Sequence, residues 1–473
     1  MNRAVFLLVL PLLASSPVLA QASHSLSQIQ TSDIAVSWGE RLISLLGLGA
    51  FVLMGYALST NRKAIRWNTV FYGLVLQFVF AVVVLKTAPG RRFFATLNDL
   101  VGALLGFSTE GAKFVFGNLV YPNVPVGVPA GPAPAFGFVA QGESWANTGA
   151  LFAFGVLPTI LFVSSLMAVL YHLGIMQRVV KGMAWVMARS MKTSGAESLS
   201  AAANIFVGQT EAPLLVRPFV GDMTRSELHA VMVGGMATVA GGVMAAYVGM
   251  LQSSFPDIAG HLLAASVLSA PAALVMAKLM VPEEETPRTA GQVDVVVERI
   301  DANVIDAASR GAAEGLTLAL NVAAMLIAFI ALVAMANSIL GHLGAVVGID
   351  GLNLQWILGY VFWPVAWIMG IPAADCTFIG QLLGERFILN EFISYLHLSQ
   401  ALNENQAISP RAVVLSTYAM CGFANLGSIG IQLGGIGGIA PQRRGDLARL
   451  GMRALIAGTV ASFMTACVAG ILL

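Results

Sequence analysis

Two acidic residues stand inside segments that are otherwise apolar at both ends, and any chemistry in this chain has to account for them. Glu211 follows Gln209 and Thr210, and Glu391 follows Asn390. A carboxylate within a membrane span costs roughly 2.5–3.5 kcal/mol on insertion scales, so each acid needs a partner or a function. Glu211 could pair across helices or lie near the membrane interface, and Glu391 could cap a helix beside Asn390. Either acid could instead contact a ligand.

The polar residues beside these acids suit a neutral ligand better than a phosphate or a metal ion. An amide such as Gln209 offers donors and an acceptor, and a hydroxyl such as Thr210 offers either. The stretch from Gly208 to Glu211 lacks the lysine of a phosphate-binding loop, and the 6 histidines show no metal-ligand spacing. We therefore expect no cofactor, no ATP-driven transport and no metalloenzyme.

The composition places most of the chain in a lipid bilayer. Of 473 residues, 57% are hydrophobic and only 10% are charged, whereas soluble domains are about 25% charged. The 49 glycines are typical of helices that pack closely in a membrane. A formal net charge of +1 gives no electrostatic reason to expect nucleic acid as a partner. An all-α polytopic membrane protein is the expected fold class.

Windows of about 20 apolar residues predict about eight transmembrane helices. They lie near 41–59, 68–88, 149–173, 228–251, 258–280, 311–340, 410–438 and 448–473. Residues 1–22 have the pattern of a signal peptide, with an uncleaved first helix as the alternative. With the mature N-terminus outside, most of the 25 basic residues face inward, as the positive-inside rule requires. Arg386 and Arg411 are among those left outside. We expect a bacterial inner-membrane protein with both termini periplasmic.

Two segments, 194–217 and 372–398, are apolar at their ends but polar in the middle, and glycine and proline interrupt both. Broken backbone inside a membrane must be satisfied by protein, ion or substrate, because lipid cannot do it. We therefore predict two re-entrant hairpins. Two spans follow each hairpin, and the topology inserts the hairpins from opposite sides. This order predicts an inverted repeat whose hairpin tips meet near the midplane, which is typical of a secondary transporter.

These features divide the chain into predicted units. They are a signal peptide over 1–22, N-terminal scaffold helices with an external loop over 40–193, a first transport repeat over 194–281, a cytosolic linker and scaffold span over 282–371, and a second transport repeat over 372–473. The amphipathic segment 177–192 is expected to lie along the inner membrane surface as an interfacial helix.

Two other classes of function remain as alternatives. An intramembrane hydrolase could use Glu211 or Asp375 as acid or base and Ser428 as nucleophile, but no base lies within readable reach of any serine. A passive channel would need polar residues along a whole span, whereas here the polarity is concentrated at two hairpin tips. A transporter, and not an enzyme, is the expected class.

Three stretches, taken in order, resemble the signatures of the concentrative nucleoside transporter family. They run from Asn204 to Pro213, from Asn390 to Phe392 and from Cys421 to Gly430, and the resemblance extends over residues 40–473. It implies a homotrimer with inverted hairpin repeats that imports nucleosides together with sodium or protons. Sodium is favoured because the first stretch matches sodium-coupled relatives more closely, while proton coupling through a carboxylate stays open.

The resemblance also implies which residues bind the substrate. It places four residues of the first hairpin and the following span against the nucleobase: Gln209, Thr210, Glu211 and Val243. It places three residues of the second half at the ribose, with one apolar neighbour: Glu391, Asn425, Ser428 and Phe423. Carboxylates accept strongly from sugar hydroxyls, and amides and hydroxyls complete such a ring of partners.

A sodium site is implied between the first hairpin and the next span. The resemblance assigns it two side chains and two backbone carbonyls: Asn204, Thr238, Val207 and Val239. Sodium needs hard oxygen ligands, and the carbonyls that a broken helix leaves free are suitable ones. Some relatives have serine at the position of Thr238, which keeps the oxygen and adds a methyl group.

Overall fold

The computed structural model describes residues 36–120, 123–125, 145–147, 152–291, 301–349 and 351–473. Within these ranges the chain is helical apart from one antiparallel pair of short strands, β1 (Asn123–Pro125) and β2 (Trp145–Asn147). The predicted signal peptide over 1–22, most of the external loop over 121–148 and the linker residues 292–300 lie outside the described residues.

The α-helices follow one another in chain order. They are α1 (Trp38–Ala57), α2 (Trp67–Leu85), α3 (Ala88–Phe116), α4 (Leu157–His172), α5 (Ile175–Met191), α6 (Gly195–Ala203), α7 (Arg217–Val220), α8 (Arg225–Ala237), α9 (Gly241–Leu251), α10 (Ile258–Met280), α11 (Val304–Val347), α12 (Leu354–Ile368), α13 (Cys376–Ile388), α14 (Glu391–Asn403), α15 (Pro410–Met420), α16 (Leu426–Ile439) and α17 (Arg444–Leu472). Short 3-10 turns lie at Arg62–Ala64, Gly117–Val120, Ala212–Val216 and Pro441–Arg443, and a π-turn lies at Phe152–Val156.

Seven helical stretches in the described part of the chain are long and apolar enough to cross a membrane. They are α1, α2, the π-turn with α4, α8 with α9, α10, α11, and the last 3-10 turn with α17. The shorter helices α15 and α16 occupy the predicted span 410–438, in two pieces. The prediction of an all-α polytopic fold with about eight transmembrane helices is confirmed.

The predicted span 410–438 is not one helix, because it is interrupted from Cys421 to Asn425. Gly422 has a φ of 156°, a conformation that glycine adopts more readily than other residues. The side chain of Asn425 then accepts from the backbone N–H of Ser428 and so starts α16 as its N-cap. We call this interruption, residues 421–425, the second break.

The predicted span 228–251 is interrupted as well, at residues 238–240 between α8 and α9, and we call this the first break. Thr238 is extended there, with φ −127° and ψ 169°. The two breaks touch, since the N–H of Phe423 donates to the carbonyl of Thr238 at 3.2 Å. A Cβ atom on Gly422 would come within 2.7 Å of the carbonyl oxygen of Met236, so only glycine permits this crossing.

The two predicted hairpins have different internal structures. Hairpin 1 consists of α6, an irregular stretch, the turn Ala212–Val216 and α7. It begins with a capping box in which Ser194 and Glu197 satisfy each other's backbone N–H. Hairpin 2 consists of α13 and α14, which a two-residue turn joins, and Asn390 caps α14. The order helix, hairpin, broken helix, long helix therefore occurs twice, starting at α5 and again at α12.

Two helices, α3 and α12, coincide with none of the predicted spans, hairpins or interfacial segments. The helix α3 carries charged residues along its length, including Arg91, Arg92 and Asp99. These charges lower the mean hydropathy, so a search for apolar windows does not find the helix. The helix α12 has 15 residues, fewer than the about 20 that cross a bilayer upright. It occupies part of the segment predicted as linker and scaffold span, and it packs on α13 as α5 packs on α6.

Arg386 and Arg411, which the charge count places on the outward side, are buried inside the protein and do not lie in exposed connectors. Arg386 is 1% exposed and Arg411 is 3% exposed. Arg411 donates to the carbonyls of Gly370 and Gly470 at 2.8 and 3.1 Å. Counting charges by sequence position takes no account of arginines that backbone carbonyls hold inside the protein.

The repeated elements form the centre of the molecule. The apolar windows of α10 and of α17 are 89% and 83% buried, whereas those of α1 and α11 are 28% and 17% buried. The helices of the two repeats therefore pack on protein, while α1 and α11 present most of their apolar surface outward, as lipid-facing helices do.

A buried ion cluster fixes the base of hairpin 1. The ammonium of Lys278 at the end of α10 lies 2.7 Å from a carboxylate oxygen of Glu197 and 3.2 Å from one of Glu283. The side chain and carbonyl of Thr289 accept from backbone N–H groups at the start of α6. Hairpin 1, α10 and the first part of the linker are thereby joined as one unit.

Replacing Lys278 with methionine is expected to destabilise the protein strongly. The change leaves Glu197 and Glu283 buried without their cation, and breaking a buried pair from one side costs roughly 3–5 kcal/mol. Arg288→Met is the matched control, because Arg288 and its partner Asp222 are 69% and 59% exposed and exposed pairs contribute about 0–1 kcal/mol. Thermal unfolding of the detergent-purified protein measures both, and equal midpoints for the two variants would contradict the role of the cluster.

Candidate functional site

One cavity of about 210 Å³ brings together all of the residues predicted to contact the substrate. Hairpin 1 and α9 contribute Gln209, Thr210, Glu211 and Val243. Hairpin 2, the second break and α16 contribute Glu391, Phe423, Asn425 and Ser428. The cavity thus lies where the two hairpins meet, although its two sides are far apart in sequence.

Glu391 is held in place from two directions. It is the first residue of α14 and is 4% exposed. The hydroxyl of Tyr247 donates to one carboxylate oxygen at 2.8 Å, and the amide of Asn425 donates to the other at 3.1 Å. Asn390, and not Glu391, caps the helix, since its side chain accepts from the N–H of Ile393 at 3.0 Å. The carboxylate of Glu391 is therefore left to face the cavity.

Gln209 connects the two sides of the cavity. Its amide nitrogen donates to the hydroxyl of Ser428 at 3.1 Å, and its amide oxygen accepts from Gln432 at 3.1 Å. The same nitrogen of Gln432 donates to the carbonyl of Met232 on α8 at 2.9 Å. These contacts bond the tip of hairpin 1 to α16 through side chains that are 6% exposed or less.

Glu211 lies between this cavity and a second one of about 350 Å³. The two cavities share Gly208, Glu211, Ala240 and Leu318, and the second also reaches Asp301 and Arg310. The guanidinium of Arg310 donates to both carboxylate oxygens of Asp301 at 2.6 and 2.9 Å, which holds the pKa of Asp301 below its usual range. The second cavity therefore leads from the site to the residues just before α11.

Sequence reasoning missed two polar residues of this site, and their spacing could have revealed them. Tyr247 follows Val243 by four residues, and Gln432 follows Ser428 by four, so each lies on the same helix face as a predicted residue. One wall of the cavity comes from a face of α11 whose residues are apolar: Leu318, Val322, Met325, Leu326 and Phe329. A uniformly apolar helix gives no signal that distinguishes such a face.

The residues predicted to hold sodium lie where hairpin 1 meets the first break. The N–H of Gly241 donates to the carbonyl of Phe206 at 3.0 Å and so joins the two irregular stretches. The amide nitrogen of Asn204 donates to the carbonyl of Ser200 at 3.0 Å, while its buried oxygen has no partner in the described part of the chain. The hydroxyl of Thr238 donates to the carbonyl of Gly234 at 2.9 Å and keeps its lone pairs.

Two backbone carbonyls complete this set of oxygens. Neither the carbonyl of Val207 nor that of Val239 accepts a hydrogen bond from any residue that the structure describes. Both belong to non-helical backbone, and Val239 is fully buried. Buried carbonyls are rarely left unpaired, so the four oxygens predicted to bind sodium are available to a cation here.

Glu211 lines the same cavity as Ser428, but within the described residues no hydrogen bond joins Ser428 to Glu211 or to Asp375. The carboxylate of Asp375 accepts from the hydroxyl of Ser409 at 2.5 Å, and Asp375 does not line the cavity. The hydroxyl of Ser428 accepts from the amide of Gln209, which is not a base. Among the residues that the structure describes, Ser428 therefore has no hydrogen-bonded activating partner of the kind such chemistry requires.

Several helices that are long and apolar enough to cross a membrane, with a polar cavity between two hairpins, are the arrangement of a membrane transporter. Three family models match the chain: "Na+ dependent nucleoside transporter N-terminus" over residues 46–119, "Nucleoside recognition" over 153–254 and "Na+ dependent nucleoside transporter C-terminus" over 261–470. The chain belongs to the concentrative nucleoside transporter family, as the sequence predicted.

Individual relatives agree with this assignment. The chain is 43% identical to an uncharacterized transporter of Haemophilus influenzae, over 91% of this chain and 97% of that one. It is 42% identical to sodium/nucleoside cotransporter 2 of Rattus norvegicus over 92% of this chain, and it spans 63% of the rat protein's length. It is also similar to the solved structure of CNTnw in an inward-facing, substrate-bound state, with 41% identity, a TM-score of 0.79 and coverage of 91% of this chain and 97% of that chain.

Proposed function

We propose that this protein is a secondary active symporter that imports nucleosides, driven by a sodium gradient. The observation that carries the proposal is the single cavity in which amide, hydroxyl and carboxylate groups of both hairpins converge. The site offers hydrogen bonds to a neutral polar molecule, and its two carboxylates would repel a phosphate group. It therefore suits nucleosides and excludes nucleotides.

The nucleobase is assigned to the side of the cavity that hairpin 1 and α9 form. Gln209 and Thr210 present donors and acceptors that can pair with the edge of a base without demanding one particular base. Glu211 reaches the base directly or through water, and Val243 packs against its face. The ligand would take over hydrogen bonds that Gln209 now makes with Ser428 and Gln432.

The ribose is assigned to the opposite side. The carboxylate of Glu391 is oriented by Tyr247 and Asn425, and each of its oxygens has a further lone pair for a sugar hydroxyl. Ser428 and Asn425 complete the polar ring, and Phe423 borders it as an apolar neighbour. Hydrogen bonds to a buried carboxylate are the strong ones, so this side should supply much of the affinity.

Sodium is assigned to the oxygens of Asn204, Val207, Thr238 and Val239. The unpaired oxygen of Asn204 and the two free carbonyls support an ion at this place, because buried acceptors without a donor are costly. Proton coupling through Glu211 or Glu391 is the alternative for the driving ion. A passive channel would equilibrate its substrate, whereas a symporter accumulates it against a gradient.

Transport is assigned to the two repeats, 194–281 and 372–473, moving against the scaffold helices. We place the protein in the bacterial inner membrane with the mature N-terminus and the C-terminus periplasmic, and we expect a homotrimer. The support for assembly is the outward-facing apolar surface of α11, whose apolar window is only 17% buried within one chain. Lipid and neighbouring copies would cover that surface.

Changing Glu391 to glutamine is expected to lower nucleoside uptake sharply. The neutral amide would direct a donor at the Tyr247 hydroxyl or at the Asn425 amide, and it would lose the charge that sugar hydroxyls bind. A loss of about tenfold or more in uptake efficiency is expected, since a hydrogen bond to a charged group contributes roughly 1.5–3 kcal/mol. The measurement is labelled uridine uptake into proteoliposomes, with sodium and pH varied independently.

Glu404→Gln is the matched control, because Glu404 is exposed at the end of the same helix. Its uptake should equal that of the unchanged protein. If Glu391→Gln transports as well as Glu404→Gln, the ribose assignment is wrong. If the unchanged protein accumulates no uridine under either a sodium or a proton gradient, the proposed function itself is wrong.

The two replacements Thr238→Ser and Thr238→Val separate the hydroxyl from the size of the side chain. Serine keeps the oxygen, so the sodium concentration for half-maximal uptake should stay close to that of the unchanged protein. Valine has nearly the same shape without the oxygen and should raise that concentration about tenfold, the effect of losing one charged contact. Identical sodium dependence for both variants would remove Thr238 from the ion site.

A further inference from the structure

Arg386 is a buried cation that has no carboxylate partner within the described residues. It lies in α13 of hairpin 2 and is 1% exposed. Its three guanidinium nitrogens donate to the carbonyl of Gly422 at 3.3 Å, the carbonyl of Ala419 at 2.6 Å and the hydroxyl of Ser462 at 3.0 Å. The acid beside it in sequence, Glu385, is bonded instead to His397.

A guanidinium whose hydrogen bonds all go to neutral oxygens is unusual for a structural arginine. Burying a charge is costly unless it is paired and hydrogen-bonded, and here the direct contacts are backbone carbonyls, one hydroxyl and the ring of Phe463 at 6.0 Å, while the carboxylate of Glu391 acts only from a longer distance. Two of these oxygens belong to Ala419, at the end of α15, and to Gly422, in the second break. The hydroxyl of Ser462 also donates to the carbonyl of Cys421 in that break, at 3.3 Å. Arg386 therefore satisfies backbone that the interrupted helix leaves exposed.

The order of elements matches this place to the sodium site of the first repeat. In the first repeat, the C-cap residues of α6 and α8 are Asn204 and Thr238, which are two of the proposed sodium ligands. In the second repeat, the C-cap residues of α13 and α15 are Leu389 and Cys421. Both places lie between the first helix of a hairpin and the break in the helix that follows it.

The ligand chemistry differs between the two places. Leucine has no oxygen, and a thiol is a soft ligand that suits sodium poorly, so the second repeat lacks both side-chain oxygens. Three residues before the C-cap, the first repeat has Ala201 and the second has Arg386. Alanine places no polar group near the first break, whereas the long side chain of Arg386 brings its guanidinium to the second break.

We propose that the guanidinium of Arg386 is a built-in cation. It occupies, in the second repeat, the position that corresponds to the proposed sodium site of the first repeat. This inference rests on the proposed sodium site. It implies that one sodium ion, and not two, binds at the breaks in each chain. It also makes Arg386 a positioning residue for the substrate site, because Phe423 and Asn425 belong to the second break that it holds.

The two places communicate through one backbone contact. Gly422 accepts from Arg386, and the next residue, Phe423, donates its N–H to the carbonyl of Thr238. The fixed cation and the proposed sodium ion thus lie on either side of the crossing between the two breaks. Removing the charge of Arg386 should disturb the second break and, through Thr238, the response to sodium.

The first test compares Arg386→Lys with Arg386→Met, two unbranched side chains of which only one is charged. Lysine can still donate to the carbonyls of Ala419 and Gly422, so its uridine affinity should stay within a few fold of the unchanged protein. Methionine leaves those carbonyls unpaired and should weaken uridine binding by about tenfold or more. Titration calorimetry on purified protein in saturating sodium measures both.

The second test uses Arg386→Ala, which vacates the place and leaves the oxygens of Ala419, Gly422 and Ser462 available. Millimolar methylguanidine should restore uridine binding and raise the melting temperature of this variant without affecting the unchanged protein. In the absence of methylguanidine, the sodium dependence of uridine binding should steepen, because a second ion can enter. The unchanged protein should fit a single sodium ion.

The outcomes separate this inference from the proposed function. If the unchanged protein shows no sodium-dependent uridine binding, the proposed function fails. If it does, and Arg386→Met binds uridine as tightly as Arg386→Lys, the built-in cation is wrong. The proposal is also wrong if methylguanidine changes neither the uridine affinity nor the melting temperature of Arg386→Ala. Should the alanine variant not fold, the lysine and methionine pair still decides the question.

Discussion

The crossing of two interrupted helices is the constraint on which the rest of the structure depends. Each interruption frees backbone groups in the middle of a membrane, where lipid offers no hydrogen bonds. The two breaks satisfy some of these backbone groups by bonding to each other, since the N–H of Phe423 donates to the carbonyl of Thr238. Gly422 makes the approach possible, since a Cβ there would meet the carbonyl of Met236 at 2.7 Å.

The groups that the crossing leaves unpaired define the binding chemistry. On the first break they are oxygens, which we assign to sodium. On the second break the corresponding oxygens are already occupied by Arg386, and the polar side chains of Asn425 and Ser428 face the cavity instead. In the proposed assignment, the two halves of the inverted repeat therefore differ chemically, and one binds an ion while the other binds a sugar.

Much of this arrangement could be predicted from the sequence, because membrane spans and breaks leave strong signals. Apolar windows located most of the crossings, and Glu211 and Glu391 marked both hairpins by their cost in a membrane. The resemblance to the family then named residues that prove to line one cavity. Their individual roles toward base, ribose and sodium remain proposals.

Other features depend on contacts between distant segments, which no local pattern encodes. The bond between Tyr247 and Glu391 joins residues 144 positions apart, and the wall that α11 contributes is an apolar face like any other. The burial of Arg386 could not be predicted, because a charge in a short polar stretch resembles an exposed residue until its carbonyl partners are known. Helix α3 could not be found by apolar windows, because its charged residues lower the mean hydropathy.

The central claim is that the substrate and ion sites are coupled through the crossing of the two breaks. The most direct measurement is the uridine affinity of the purified, unchanged protein by titration calorimetry, with sodium replaced stepwise by choline. Coupling of this kind typically changes affinity by about 5–150-fold. The affinity for uridine should therefore be higher in saturating sodium than in choline by a factor in this range. Bound uridine should raise the affinity for sodium by the same factor. A uridine affinity that is identical in sodium and in choline would contradict the account.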